Sequence, residues 1–125
     1  MTENEIAKIV VNTCYNIHVK LGPGLLESVY EEILFFELVN LGLKVERQKA
    51  IPVIWKDIKM KIGFRADLVI ENKVILELKS VEKIAAVHPK QLLTYLRVTD
   101  LKLGLLINFK EKLIKDGITR VVNNL

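Results

Sequence analysis

Residues Phe64 to Ser80 read FRADLVIENKVILELKS. Leu68, Ile70, Val74, Leu76 and Leu78 are what a buried sheet takes up; Asp67, Glu77 and Lys79 are not. The alternation has a period of two, so the stretch is a β-hairpin, and its register decides where the charges go. A two-residue loop, Asn72-Lys73, would set Leu68 against Glu77 and mix apolar with charged residues on both faces. A three-residue loop, Glu71 to Lys73, sets Ile70 against Val74 and Asp67 against Glu77. The five apolar residues then share one face, and Asp67, Glu77 and Lys79 lie on the other. The hydrophobic pattern selects this second register, with Asn72 as the left-handed residue such a loop uses.

Two carboxylates directly opposite have Cβ atoms only ~5 Å apart, and like charges so placed repel. A divalent cation offsets this, and hard ions such as Mg²⁺ choose carboxylate oxygen. The Lys79 ammonium, two residues on and on the same face, offsets it in part. A solvated face on which Asp67, Glu77, Arg65 and Lys79 form ordinary ion pairs fits the same residues. The hairpin alone leaves both readings open.

Outward from the hairpin, the chain starts with a capping box, Thr2 followed by Glu5. Ile6, Ile9, Val10, Thr13, Ile17 and Leu21 then recur at helical spacing until Gly22-Pro23-Gly24 breaks the helix. A second helix is expected from about Leu25 to Leu41, with Leu26, Val29, Ile33, Leu34 and Leu38 inward and Gly42 placed to cap it. The period then changes to two. Strands are expected over roughly residues 44–55 and 58–70, joined by a turn at Lys56-Asp57, and over 74–80. HPKQLLTYLRV (88–98) reads as a helix with Pro89 in its first turn. KLGLLINF (102–109) reads as a strand and GITRVV (117–122) as a last edge strand. A helix between the third and fourth strands implies a crossover, so those two are expected parallel in a mixed sheet.

The chain has 125 residues, half of them hydrophobic, which suits one domain over 1–125 with a single core. A net charge of +4 is compatible with a nucleic-acid partner and equally with a slight lysine excess. One cysteine, Cys14, excludes an internal disulfide and a cysteine zinc site, and its apolar helical setting reads as core. No uncharged stretch reaches the ~20 residues that span a bilayer, and Met1 to Val10 is not a signal sequence, so no membrane and a cytoplasmic location are expected.

Ala66-Asp67, the hairpin, then Glu77-Leu78-Lys79 resembles the signature of the PD-(D/E)XK nuclease superfamily, with Ala66 at the usual proline. Gln91 and Tyr95 in QLLTY are similar to the Q-x-x-x-Y motif of its RecB-like exonuclease branch. Gly24, Glu27 and Tyr30 in GLLESVY resemble the spacing that names the GxxExxY proteins within that superfamily. The resemblance covers nearly the whole chain. It implies an α/β (α+β) restriction-endonuclease-like core of helix, three-strand meander, helix and strand. It also implies a Mg²⁺- or Mn²⁺-dependent nuclease, with Asp67, Glu77 and the Leu78 backbone carbonyl as metal ligands and Glu27 as a ligand or near-ligand. In that pattern Lys79 orients the attacking water or neutralises charge on the phosphate.

Each supporting residue has a blander reading. Glu27 suits the first turn of a helix on dipole grounds alone. Tyr30 is either site-supporting or a core aromatic with a tethered hydroxyl. Gln91 and Tyr95, four apart on one helical face, hold the site in shape, contact the nucleic-acid backbone, or are a capped polar residue and a packed ring. Lys56, Lys59, Lys61 and Arg65 make a basic rim for phosphates or a solvated strand face. His18 reads as structural, and His88 as a surface residue at a helix start. Three functions compete: a metal-dependent phosphodiesterase, a catalytically silent nuclease-fold module that binds nucleic acid or protein, and a structural domain. A nuclease this small often gains reach as a homodimer, though no residue marks one. DNA and RNA are not distinguished.

Overall fold

A computed structural model describes residues 1–125. Helix α1 (Glu3–Leu21) starts at the expected capping box: the Thr2 hydroxyl accepts the Glu5 N–H at 3.2 Å and the Glu5 carboxylate accepts the Thr2 N–H at 2.8 Å. Helix α2 (Glu27–Asn40) ends at Gly42, whose φ of +86° lets the Leu43 N–H turn back to the Leu38 carbonyl and the Gly42 N–H to that of Val39. The buried stripe of α2 is Tyr30, Leu34 and Leu38, with Glu31 beside it. Leu26 and Val29, expected inward, are exposed, as is Leu21. Leu26 precedes the first helical turn, where the backbone is extended and the helical period no longer sets its direction.

The strands are β1 (Val45–Ile51), β2 (Ile54–Trp55), β3 (Ile58–Lys59), β4 (Phe64–Ile70), β5 (Val74–Lys79), β6 (Leu103–Asn108) and β7 (Ile118–Val122). Helix α3 (Val87–Thr99) joins β5 to β6, and a short 3₁₀ turn, Ile114–Gly117, precedes β7. The main sheet has the order β1-β4-β5-β6-β7. Only β5 and β6 are parallel, as the crossover required. The two long strands expected over 44–55 and 58–70 are broken. Pro52 has no N–H to give a ladder. A Cβ at Gly63 would lie 2.2 Å from the Ile51 carbonyl oxygen, so the chain crosses there only because the side chain is absent. Between these breaks β2 and β3 leave the sheet as a separate two-stranded arm, closed at Lys56-Asp57 with φ of +51° and +65°.

The β4–β5 hairpin has the three-residue loop: Ile70 pairs with Val74 and Leu68 with Leu76, and Glu71 and Asn72 both take positive φ. Leu68, Ile70, Val74, Leu76 and Leu78 face α1 and α2, packing with Ile6, Val10, Cys14, Tyr30, Leu34 and Leu38. On the opposite face α3 sets Leu92 and Leu96 against Val69, Ile75 and Leu106. Gly104 admits α3 at this distance, since a Cβ there would come 2.9 Å from Leu92. Burial pushes the Cys14 thiol up and leaves it an inert core group. His18 Nε2 lies 3.1 Å from the Phe109 carbonyl and 2.8 Å from that of Glu111, so it donates, and it ties α1 to the chain after β6. No helix is long and apolar enough to cross a membrane.

Tyr30 is wholly buried and stacked on Phe109, with ring centroids 4.3 Å apart. Its hydroxyl donates to the Gly22 carbonyl and accepts the Leu25 N–H, so one side chain closes the loop that precedes α2. Tyr30→Phe keeps the stack and leaves two backbone groups without their partner. Stability should fall by ~1–3 kcal/mol, the cost of unmade buried hydrogen bonds. Urea unfolding of the two proteins measures this; equal midpoints would mean the hydroxyl does not hold the loop.

Candidate active site

The β4–β5 ladder ends at Leu68 and Leu76, one residue short of Asp67 and Glu77. There the strands part. Asp67 Oδ2 accepts the Leu78 N–H at 2.8 Å, taking the place of a backbone carbonyl. The N–H and C=O of one residue leave a strand on the same side, so the Leu78 carbonyl also points into the gap. Strand β5 does not follow β4 outward because β6 holds it, with Glu77 against Leu106 and Lys79 against Asn108. The buried Asn108 amide then fixes the exit of β5 by accepting the Val81 N–H and donating to the Val81 carbonyl.

Asp67 is the shared wall of two concavities. One is lined by Arg65, Asp67, Glu77, Lys79, His88, Gln91 and Tyr95, floored by Leu92 and Leu106. The other holds Glu27, Ser28, Glu31, Gln48 and Asp67. The structure therefore brings Asp67, Glu77, Lys79, Arg65, Gln91 and Tyr95 together, with Glu27 on the far side of Asp67. Ser80 Oγ donates to the Leu25 carbonyl at 3.2 Å and anchors the start of α2 to the end of β5. Tyr30 touches neither concavity and acts through the loop it closes. Tyr95 stacks on Phe64 at 3.8 Å, which locks α3 over β4.

Burial, reinforced by Asp67, pushes the Glu77 carboxyl up to about 9, so in the cation-free protein it holds its proton at neutral pH. Glu27 is raised by burial, with Lys79 opposing and Asp67 reinforcing, so these groups lie within one another's field. The Tyr95 hydroxyl is raised by burial and then by Glu77 and Asp67. The molecule has four ion pairs, and none includes Asp67, Glu77, Glu27 or Lys79.

These groups fit a hard divalent cation. The carboxylates of Asp67 and Glu77 are half-buried in one pocket with no ion-pair partner, and with the Leu78 carbonyl they would make an all-oxygen donor set. No three His, Cys, Asp or Glu side chains converge on one point, so the protein offers two carboxylates and a carbonyl. That is the sparse set Mg²⁺ accepts, with water and substrate oxygen filling the remainder.

Three neighbours were not foreseen from the sequence. Gln48 has a φ of +50° and skips its place in the β1–β4 ladder. Its amide donates to Asp67 Oδ1 at 3.3 Å and to Glu31 Oε1 at 2.6 Å, and its carbonyl accepts from Arg65 Nη1 at 2.8 Å. No sequence signal marks a left-handed glutamine. Glu31 is buried against Arg47 Nε at 2.8 Å, and its spacing of four from Glu27 was a readable sign of a shared face. His88, read as a surface residue, lines the Asp67–Glu77 pocket, and its Nδ1 is buried without a partner. It stands one helical turn before Gln91, which puts both on one face of α3.

No curated protein and no solved structure matches the chain. A family model does: that of the PD-(D/E)XK nuclease superfamily matches residues 4–121, from the first turn of α1 into β7. The three helices and the mixed five-stranded sheet make an α+β fold consistent with the restriction-endonuclease-like core of this superfamily, a nuclease-like domain. The chain belongs to the PD-(D/E)XK nuclease superfamily.

Proposed function

We propose that residues 1–125 form one nuclease domain that hydrolyses phosphodiester bonds in nucleic acid with a Mg²⁺ or Mn²⁺ ion, in the GxxExxY group of the RecB-like branch. One observation carries the reading: two half-buried carboxylates line one pocket where the hairpin splays, with no ion-pair partner, beside an ammonium on the same strand. The Tyr30-closed loop and the placing of Glu27 against Asp67 support the finer family assignment.

Asp67, Glu77 and the Leu78 carbonyl would hold the ion, with Glu27, which lines a concavity with Asp67, as a ligand or near-ligand. Such an ion polarises a phosphoryl oxygen and acidifies bound water. Lys79 shares the pocket, and its compact ammonium orients the attacking water and neutralises charge that grows on the phosphate. Arg65, Gln91 and Tyr95 line the same pocket and position the strand. The direct test is a cleavage screen across single- and double-stranded DNA and RNA with Mg²⁺, with Mn²⁺ and with chelator. Binding without cleavage would make the chain a silent nuclease-fold module instead.

Proton and cation compete for Glu77. A carboxyl raised from 4.5 to about 9 contributes stability that is fully present below pH 4.5 and is lost as pH rises through 9. In chelator, wild type should therefore lose melting temperature relative to Glu77→Gln between pH 5 and 9, with the variant the more stable at the alkaline end. A divalent ion that binds only the folded protein at 100 times its Kd returns ~2.7 kcal/mol. Mg²⁺ or Mn²⁺ should raise the wild-type melting temperature accordingly and the variant's far less. Parallel pH curves, or equal rises with metal, would remove Glu77 from the site.

Lys79 separates catalysis from binding. Lys79→Ala takes a positive charge from an acidic cluster, so calorimetric cation affinity should hold or rise. Single-turnover cleavage should fall at least ~100-fold, the scale of losing one electrostatic stabiliser of a transition state. Lys79→Arg should rescue it only partly, because a planar fork does not replace a compact ammonium. Wild-type cleavage in Lys79→Ala would reduce Lys79 to a solvated neighbour of Glu77.

A further inference from the structure

The β2–β3 arm is unaccounted for by the fold. Its cross-strand pairs are Ile54 with Lys59 and Trp55 with Ile58, extended by the Met60 N–H to the Val53 carbonyl at 2.8 Å. Ile54 is 62% exposed, Trp55 65%, Ile58 64%, and Ile62, on the return to β4, 82%. None belongs to either hydrophobic core. A two-stranded ribbon is marginal by itself, so large apolar side chains presented to water on it serve a contact. The charge is as uneven as the polarity. Residues 52–65 carry Lys56, Lys59, Lys61 and Arg65 against Asp57 alone, in a chain whose whole net charge is +4. The segment therefore carries a net charge of +3, from four cations less one acid, of the chain's +4.

That charge leads to the carboxylates. Lys59, Lys61, Gly63, Phe64 and Arg65 line a concavity at the foot of the arm, and Arg65 also lines the Asp67–Glu77 pocket. A second copy of the chain is a poor occupant, because a symmetric contact through the arm would bring lysine against lysine. The two-residue strands β2 and β3 are also too short to template an added strand. A polyanion with apolar faces satisfies both features. Lysines meet phosphates without regard to sequence, and an exposed indole stacks on any base. Trp55 has the Lys56 ammonium 6.0 Å from its ring centroid, which pairs a stacking surface with a phosphate-seeking charge.

We infer that the β2–β3 hairpin is a nucleic-acid-binding arm, in which Lys59, Lys61 and Arg65 lead the backbone toward the Asp67–Glu77 pocket while Trp55 stacks on a base. The inference rests on the phosphodiesterase reading of that pocket.

The test uses the full chain in chelator, with short fluorescein-labelled DNA and RNA oligonucleotides, single- and double-stranded, read by anisotropy across a salt series. Trp55 is the only tryptophan, so its emission reports the arm directly. Nucleic acid should quench or blue-shift that emission in wild type. Lys59→Gln with Lys61→Gln should weaken binding and flatten the log affinity–log salt slope by roughly 1.4 to 1.8, the share of two phosphate contacts. Trp55→Ala should weaken binding about tenfold, the scale of one lost base stack. The melting temperature should not move in either variant, since the arm lies outside both cores. Binding by wild type with silent Trp55 emission and unchanged variants would overturn the arm and leave the pocket reading standing. Emission that shifts with protein concentration alone would assign the arm to self-association and overturn it. A wild type that neither binds nor cleaves nucleic acid would overturn both.

Discussion

One hydrogen bond organises the site: the Leu78 N–H goes to the Asp67 carboxylate and not to a backbone carbonyl across the hairpin. A regular antiparallel pair would have closed at this point, with Asp67 and Glu77 sealed against each other. With a side chain as acceptor, β4 parts from β5 while β6 keeps β5 straight. The gap sits at the end of β5, beside the wholly buried β6, with Leu76 and Leu78 packed behind it. A polar opening is thus cut into a rigid apolar wall, which is where charges interact most strongly.

The placement is locally unfavourable, and the fold enforces it. Burial and Asp67 together hold Glu77 protonated without a cation. A single hairpin could relieve this by slipping one residue, but that slip would turn Leu68, Ile70, Val74, Leu76 and Leu78 to the wrong face. Two cores, one on each side of the sheet, make the slip far more costly than the strain it would relieve. Such over-determined strain marks functional positions.

Much of this was legible in the sequence because it follows from period and chemistry. The three-residue loop came from requiring one clean apolar face, the α1 start from Thr2 and Glu5, and the parallel β5–β6 pair from the intervening helix. The unread parts depend on contacts between distant segments. The breaks at Pro52 and Gly63 are visible as residues, but that they release an arm depends on Ile51 crossing close to Gly63. Gln48 reaches Asp67 only through a left-handed backbone that no propensity predicts. A His before Pro at a helix start reads as a surface residue, yet the packing of α3 over β4 turns His88 into the pocket.

The two acids of α2 show how neighbours decide a role that sequence leaves equal. Glu27 and Glu31 are four residues apart, share a helix face and line the same concavity. Glu31 is buried but satisfied: Arg47 and Gln48 take one oxygen each, at 2.8 and 2.6 Å, so its charge is already matched inside the protein. Its task is to hold Gln48, and through Gln48 to orient Asp67. Glu27 has no ion-pair partner, is raised by burial, and feels Asp67 and Lys79 directly. A carboxylate in that state is stabilised by whatever positive charge enters beside Asp67. Glu27 is therefore the unmatched member of the pair, the one that the proposed cation would favour, while Glu31 keeps the wall in place.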